Sequence, residues 1–226
     1  MLNAKRPARR GARGLTIVEV LIGVAIGLIV IAGVLRLFVT NMVNSRQMLV
    51  EARVMQDLRA AADLIARDLR RAAYWANAIE GTSVLGTGTS PTRNNYQTIT
   101  PNDAGGQNIL YTFAQDTNNT IENNEQFGFQ LVNGTIEMRT AANQWQVVTD
   151  PGVMTVNELT ITPSVVNVNV SSSCVVTCTT NCPVVTLRHY NIVLRGTAVA
   201  NANVVRQINM RVRARNDELT GQCPAA

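Results

Sequence analysis

Residues 12–38 read ARGLTIVEVLIGVAIGLIVIAGVLRLF, and this stretch decides the fold. From Val20 to Leu35, sixteen consecutive residues are apolar or glycine. Counted from Leu15 to Val39 the run has 25 residues. As a helix it rises roughly 37 Å, enough to cross a hydrocarbon core of about 30 Å. Arg36, near the far end, reaches the interface along its own aliphatic stem. Glu19 is the anomaly. A charged group at the centre of a span costs about 2.5–3.5 kcal/mol, and an intramembrane carboxylate is read first as functional.

The flanks set the direction. Lys5, Arg6, Arg9, Arg10 and Arg13 lie in the first fourteen residues, which contain no acid. They account for the whole formal charge of +5, because the remaining basic residues balance the 15 acidic ones. The high pI therefore belongs to the tail, which weakens a nucleic-acid reading of the chain as a whole. A cleavable secretory signal has an apolar core of about 7–15 residues and then a small-x-small site. Here RLFVTNMVNSRQ follows, without such a site, so the run reads as an anchor. The positive tail holds the N-terminus in the cytoplasm and places everything after Val39 outside.

Cys174, Cys178, Cys182 and Cys223 fall on that exported side, where disulfides persist. Four cysteines allow three connectivities, all open at this point. A zinc site from C-x3-C-x3-C plus His189, the one histidine, matches no common finger spacing.

No glycine or proline interrupts residues 34–80. Met55, Leu58, Ala62, Ile65, Leu69, Ala72 and Ala76 recur at spacings of three and four, one face of a helix. Arg59, Asp63 and Arg67 repeat every four residues on another side, and the charges of ARDLRRAAY read as a solvated stripe. One continuous helix is predicted from Leu15 to Tyr74, roughly 90 Å long. Its first half suits lipid and its second half packs as an amphipathic stripe. Residues 80–108, rich in Gly, Ser, Thr, Asn and Pro, read as a long surface loop. Strands are expected at 109–113, at 127–140 around the hairpin signal Asn133-Gly134, at 144–149 and at 158–166, where Pro163 marks an edge or an end. A second hairpin is expected around TAVANAN. In the last strand Ile208, Met210, Val212 and Ala214 alternate with Asn209, Arg211, Arg213 and Arg215, one buried face and one wet face. The expected class is α+β: a long N-terminal helix on an antiparallel sheet.

Gly14-Leu15-Thr16-Ile17-Val18-Glu19 after a basic leader resembles the processing motif of type IV pilin-like proteins. The stretches VEVLIGVAIGLIVIAGVLRLFVTNMVNSRQ and LRAAADLIARDLRRAAYWA, with the terminal RVRARN, are similar to the PilW-type minor pilins. The resemblance implies a leader of residues 1–14, a membrane half of the helix at 15–39, an exported half at 40–76 and an exported β domain at 77–226. A prepilin peptidase is expected to cut between Gly14 and Leu15 and to methylate Leu15, which stands where the family usually has Phe. By the same resemblance Glu19 matches the glutamate at the family's fifth mature position and is expected to act in assembly and register. The implied partners are other minor and major pilins, the inner-membrane assembly platform and membrane lipid. The implied location is the inner membrane, single-pass with a periplasmic domain, and then the pilus. The implied work is to initiate, prime or cap a type IV pilus; the alternative is a minor pseudopilin of type II secretion.

No catalytic constellation, cofactor motif or metal set is expected: the chain has one histidine, one lysine (in the leader) and no phosphate-binding glycine loop. DTNNTIENNE (116–125) loosely resembles a calcium loop but lacks the glycine and final glutamate of an EF-hand, and reads as a polar loop. Asn118-Asn119-Thr120 fits a glycosylation sequon at chance frequency. A third role, an exported DNA-binding module using Arg211, Arg213 and Arg215, competes with a charge-guarded strand face, and the zero balance beyond the tail favours the guarded face.

Overall fold

The computed structural model of the chain describes residues 14–81, 93–101 and 107–224. The basic tail at 1–13 lies outside the described residues, as does the centre of the expected loop at 82–92 and 102–106. Two compact units make up the chain, residues 1–48 and residues 49–226.

The helix α1 (Ile17–Arg71) is unbroken. In residues 17–49 its large apolar side chains are all exposed, from Ile17 at 81 % to Met42 at 47 %. From Val54 onward one stripe is buried: Val54, Leu58, Ala61, Ala62, Ile65, Ala66 and Leu69. The predicted stripe is the observed one in its centre. At its margins Met55 is half-buried and Ala76 is exposed, past the helix end. The helix stops three residues before the expected Tyr74 because Ala73 turns to φ +64° and its N–H donates to Thr112 O at 2.8 Å. The carbonyls freed by that stop find partners far along the chain. Arg215 N–H donates to Arg70 O at 3.1 Å, and the Asn216 amide donates to Ala72 O at 2.9 Å.

The second unit carries two antiparallel sheets where the sequence predicts one. The first has five strands in chain order: β1 (Ile99–Pro101), β2 (Asn108–Thr112), β3 (Gln126–Val132), β4 (Thr135–Ala141) and β5 (Gln144–Val147). Asn133 and Gly134, at φ +50° and +78°, turn β3 into β4, the primed turn that Asn-Gly favours. The second sheet runs β6 (Met154–Asn169), β7 (Val184–Ala198), β8 (Val205–Arg213), with β9 (Glu218–Thr220) also paired to β7. Pro163 lies inside β6, tolerated because β6 is an edge strand. The register shifts between Val156 and Glu158, and burial switches there from Met154 and Val156 to Leu159 and Ile161. A one-residue bulge is what moves the buried set from even to odd positions.

The stripe of α1 and the inner faces of both sheets form one core, with Leu58, Ile65, Ile109, Phe129, Ile136, Leu159, Ile192 and Leu194 fully buried. β8 and α1 run the same way, paired at the start by the Arg206–Glu51 ion pair and at the end by Arg215 and Arg70. Nineteen helical residues rise about 28 Å and nine strand residues about 30 Å, so the two tie points are in step. The expected loop contributes structure of its own: β1, and Tyr96, which is fully buried beside Trp75 and Ala114.

Candidate functional site

Gly14, Leu15 and Thr16 precede α1 in irregular backbone, and all three are exposed. Thr16 caps the helix: its hydroxyl oxygen accepts from Glu19 N–H at 3.3 Å, and its carbonyl accepts from Val20 N–H at 3.2 Å. Glu19 lies in the first turn, where a carboxylate complements the positive end of the helix dipole. The Gly14–Leu15 bond is thus held in accessible, non-helical chain immediately before a capped helix. A side chain added at Gly14 would meet nothing within 4 Å, nor would one at Gly23, Gly27 or Gly33. The chain's own packing does not require these glycines.

Over its most apolar 18 residues the helix has a mean hydropathy of 2.8, and none of them is buried. A contiguous apolar surface of that size is stable only against lipid or other apolar helices.

The cysteines are joined as Cys174–Cys223 and Cys178–Cys182. Their sulfurs are taken up in disulfides, which overturns the C-x3-C-x3-C zinc alternative; His189 lies on β7, half-buried. Among the described residues no group of three or more His, Cys, Asp or Glu is placed to hold a metal. Oxygens of the 116–125 loop are taken up by hydrogen bonds within the chain. The Asp116 carboxylate accepts from Asn118 N–H at 2.9 Å and from the Asn118 amide at 2.6 Å, while Asn118 Oδ1 accepts from Thr120 N–H at 2.7 Å.

Two carboxylates that sequence reasoning placed in solvent are buried. Asp68, within the stretch read as a solvated stripe, is 0 % exposed and accepts from the Tyr111 hydroxyl at 3.2 Å, with the Arg71 guanidinium 3.1 Å away. Burial pushes the Tyr111 hydroxyl well above its ordinary pKa, and the Asp68 charge adds to the effect. Glu125, the last residue of the polar loop, points inward and accepts from Gln115 N–H at 2.7 Å, Glu122 N–H at 3.0 Å and Tyr96 Oη at 2.8 Å. Burial pushes its carboxyl up, but these donors outweigh it and hold the pKa below the ordinary value. Arg71 is a helical neighbour one turn on, but the Tyr111 hydroxyl that Asp68 accepts from is brought to it only by the fold. Both acids brace the domain.

Two family profiles match the sequence. The one described as prepilin peptidase-dependent protein B matches residues 47–214, and the one described as the prokaryotic N-terminal methylation motif matches residues 9–35. No curated protein and no solved structure matches the chain. The second profile spans the capped, exposed Gly14–Glu19 segment and most of the apolar run.

Proposed function

The chain belongs to the prepilin peptidase-dependent protein B family, with a prepilin methylation motif ahead of an α+β pilin-like body, and from that premise we propose that it is a minor pilin of PilW type. Prepilin peptidase is its processing partner. Cleavage falls between Gly14 and Leu15 and leaves Leu15 as the methylated first residue. The product is a single-pass inner-membrane protein with its β domain in the periplasm. It then joins other minor and major pilins on the assembly platform, to initiate, prime or cap a type IV pilus. The role is structural rather than catalytic.

The observation that carries this reading is the exposed, glycine-preceded, Thr16-capped start of an apolar helix with Glu19 in its first turn. Cleavage creates an amine at Leu15 with an ordinary pKa near 8. That amine and Glu19 are each costly in lipid, and each lowers the other's cost when they meet. In an isolated subunit the amine reaches its own Glu19, one turn away. In a bundle it reaches the Glu19 of a docked neighbour, so a subunit in the wrong axial register leaves a charge unpaired. Glu19 thereby sets the stagger.

The test is N-terminal mass spectrometry of the chain expressed with an active peptidase. The expected mature protein begins at methylated Leu15; intact Met1 in those membranes overturns the reading. Gly14→Ala should remain an anchored precursor. Glu19→Ala should be cleaved and inserted but fail to co-purify with partner pilins, and wild-type recovery of those partners would refute the register role. The related role as a type II pseudopilin predicts, in a deletion strain, lost secretion in place of lost piliation.

A further inference from the structure

Six arginines from two distant parts of the chain converge where α1 ends against β8: Arg67, Arg70, Arg71, Arg211, Arg213 and Arg215. They line two adjoining grooves of about 350 and 380 Å³ that share Arg70 and Arg215. We propose that this surface binds single-stranded nucleic acid, its arginines holding phosphates and Tyr74 stacking on a base.

The charge in the grooves is unbalanced. Asp68 pairs with Arg71 at 3.1 Å and with Arg67 at 3.5 Å, and Asp217 pairs with Arg213 at 2.7 Å. Six guanidinium groups against two carboxylates leave about four uncompensated charges, in a chain whose residues beyond the basic tail sum to zero. The side chains of Arg70, Arg211 and Arg215 are exposed and have no hydrogen-bond or ion-pair partner among the described residues. A helix C-terminus carries only about half a negative charge, so dipole compensation calls for one arginine and not three. Charge on β8 guards a sheet edge without help from α1. Neither structural role accounts for both sets facing one groove, and a concentration of one sign in a cleft attracts the opposite sign.

Spacing and chemistry select the ligand. Arg211 and Arg213 are two residues apart on β8, about 6.6 Å along a strand, which suits successive phosphates of an extended strand, and Arg215 follows in the bend just beyond. Arginine's planar fork matches phosphate oxygens. Tyr74 lines the same groove beside Arg67, Arg70 and Arg71. It is 46 % exposed, whereas every other aromatic side chain of residues 49–226 is buried or half-buried. A basic groove with an aromatic platform is the recurrent way of binding single strands without reading their sequence, and an acidic peptide has no use for the ring. The alternation on β8 alone reads as a guarded face; Arg70 and Tyr74 shift the balance, and the fold alone brings them there. The inference does not depend on the minor-pilin reading.

The test uses the mature full-length chain in detergent and a fluorescein-labelled oligothymidylate of about 15 nucleotides, read by anisotropy over 50–300 mM salt. The expected result is saturable binding at low salt. With Arg211, Arg213 and Arg215 changed to Gln, affinity should fall at least tenfold. The slope of log K against log salt should flatten by about 2 units, about 0.7 for each single-strand phosphate left without its arginine. Tyr74→Ala should weaken binding roughly 5- to 100-fold with the slope unchanged. Arg195→Gln, an exposed arginine of β7 outside the groove, should bind as wild type. No saturable binding at 50 mM salt overturns the proposal. So does retained affinity in the triple-arginine variant when its melting temperature is unchanged. Equal competition by polyglutamate, with Tyr74→Ala as tight as wild type, assigns the groove to an acidic protein partner instead.

Discussion

Glu125 shows how much of the domain's stability rests on single residues that look like surface. It is 1 % exposed, yet its carboxylate collects donors from Gln115, Glu122 and Tyr96. A depressed pKa makes this a pH-dependent brace. Relative to an unfolded value near 4.5, the folded carboxylate holds its charge to lower pH. Its contribution is therefore complete above the unfolded value and is lost as pH falls through the folded one. Glu125→Gln removes charge-assisted acceptors and turns an NH2 toward donors, which should cost about 1–3 kcal/mol at pH 7. The difference from wild type should narrow as pH falls below the unfolded value and through the lower one of the native carboxylate. Urea unfolding at pH 7 and pH 3.5 checks this, and a pH-independent difference would mean that Glu125 acts by shape alone. Neither Glu125 nor Asp68 was legible in the sequence. Polar loops and charged helix runs are usually solvated, and what buries these two is contacted from elsewhere in the fold.

At the scale of elements, what was legible is what local chemistry dictates. The stripe from Leu58 to Leu69 follows from helical period, and the β3–β4 turn follows from Asn133 and Gly134, whose positive φ angles that dipeptide tolerates. The end of α1 was legible only to within three residues, because nothing in its own sequence stops it before Gly81. Its stop is tertiary: Thr112 takes the Ala73 N–H, while Arg215 and Asn216 supply the donors that a further helical turn would have supplied to Arg70 and Ala72. This gives the Arg-Asn of RVRARN a physical role as a cap delivered in trans along the chain. Asn216→Ala should leave the carbonyl of Ala72, a buried residue, without its amide donor, at a cost of about 1 kcal/mol. Hydrogen exchange should show faster opening confined to the last turn of α1 and the start of the following loop. If protection falls uniformly across the domain instead, Asn216 supports the core as a whole and the cap is incidental.

At the scale of the molecule, the number of sheets and the places of Tyr96 and β1 depend on pairings between distant segments, which no window of the sequence displays. The disulfides follow the same division. That the four cysteines pair was legible as an expectation, from their place beyond the predicted anchor, but the choice among three connectivities was not, because it needs the end of the chain brought to the 174–182 loop. Arg93 donating to Leu219 O at 2.8 Å, β9 paired to β7, and Gln222 N–H donating to Asn181 O at 2.9 Å do that work. Gly221, at φ +71°, lies where a Cβ would be 2.0 Å from Cys182 O, so the closing turn admits glycine alone. The two bridges then differ in what they constrain. Cys174–Cys223 spans 49 residues, and Cys178–Cys182 spans four. On the loop-closure account the long bridge contributes about 4 kcal/mol and the short one about 2. Replacing Cys174 and Cys223 together by Ser should therefore lower unfolding stability about twice as much as replacing Cys178 and Cys182. Paired serines keep the test free of stray thiols. If the short bridge proves the costlier loss, the disulfides act through native contacts around Gly221 rather than through the unfolded chain, and the entropic ranking fails.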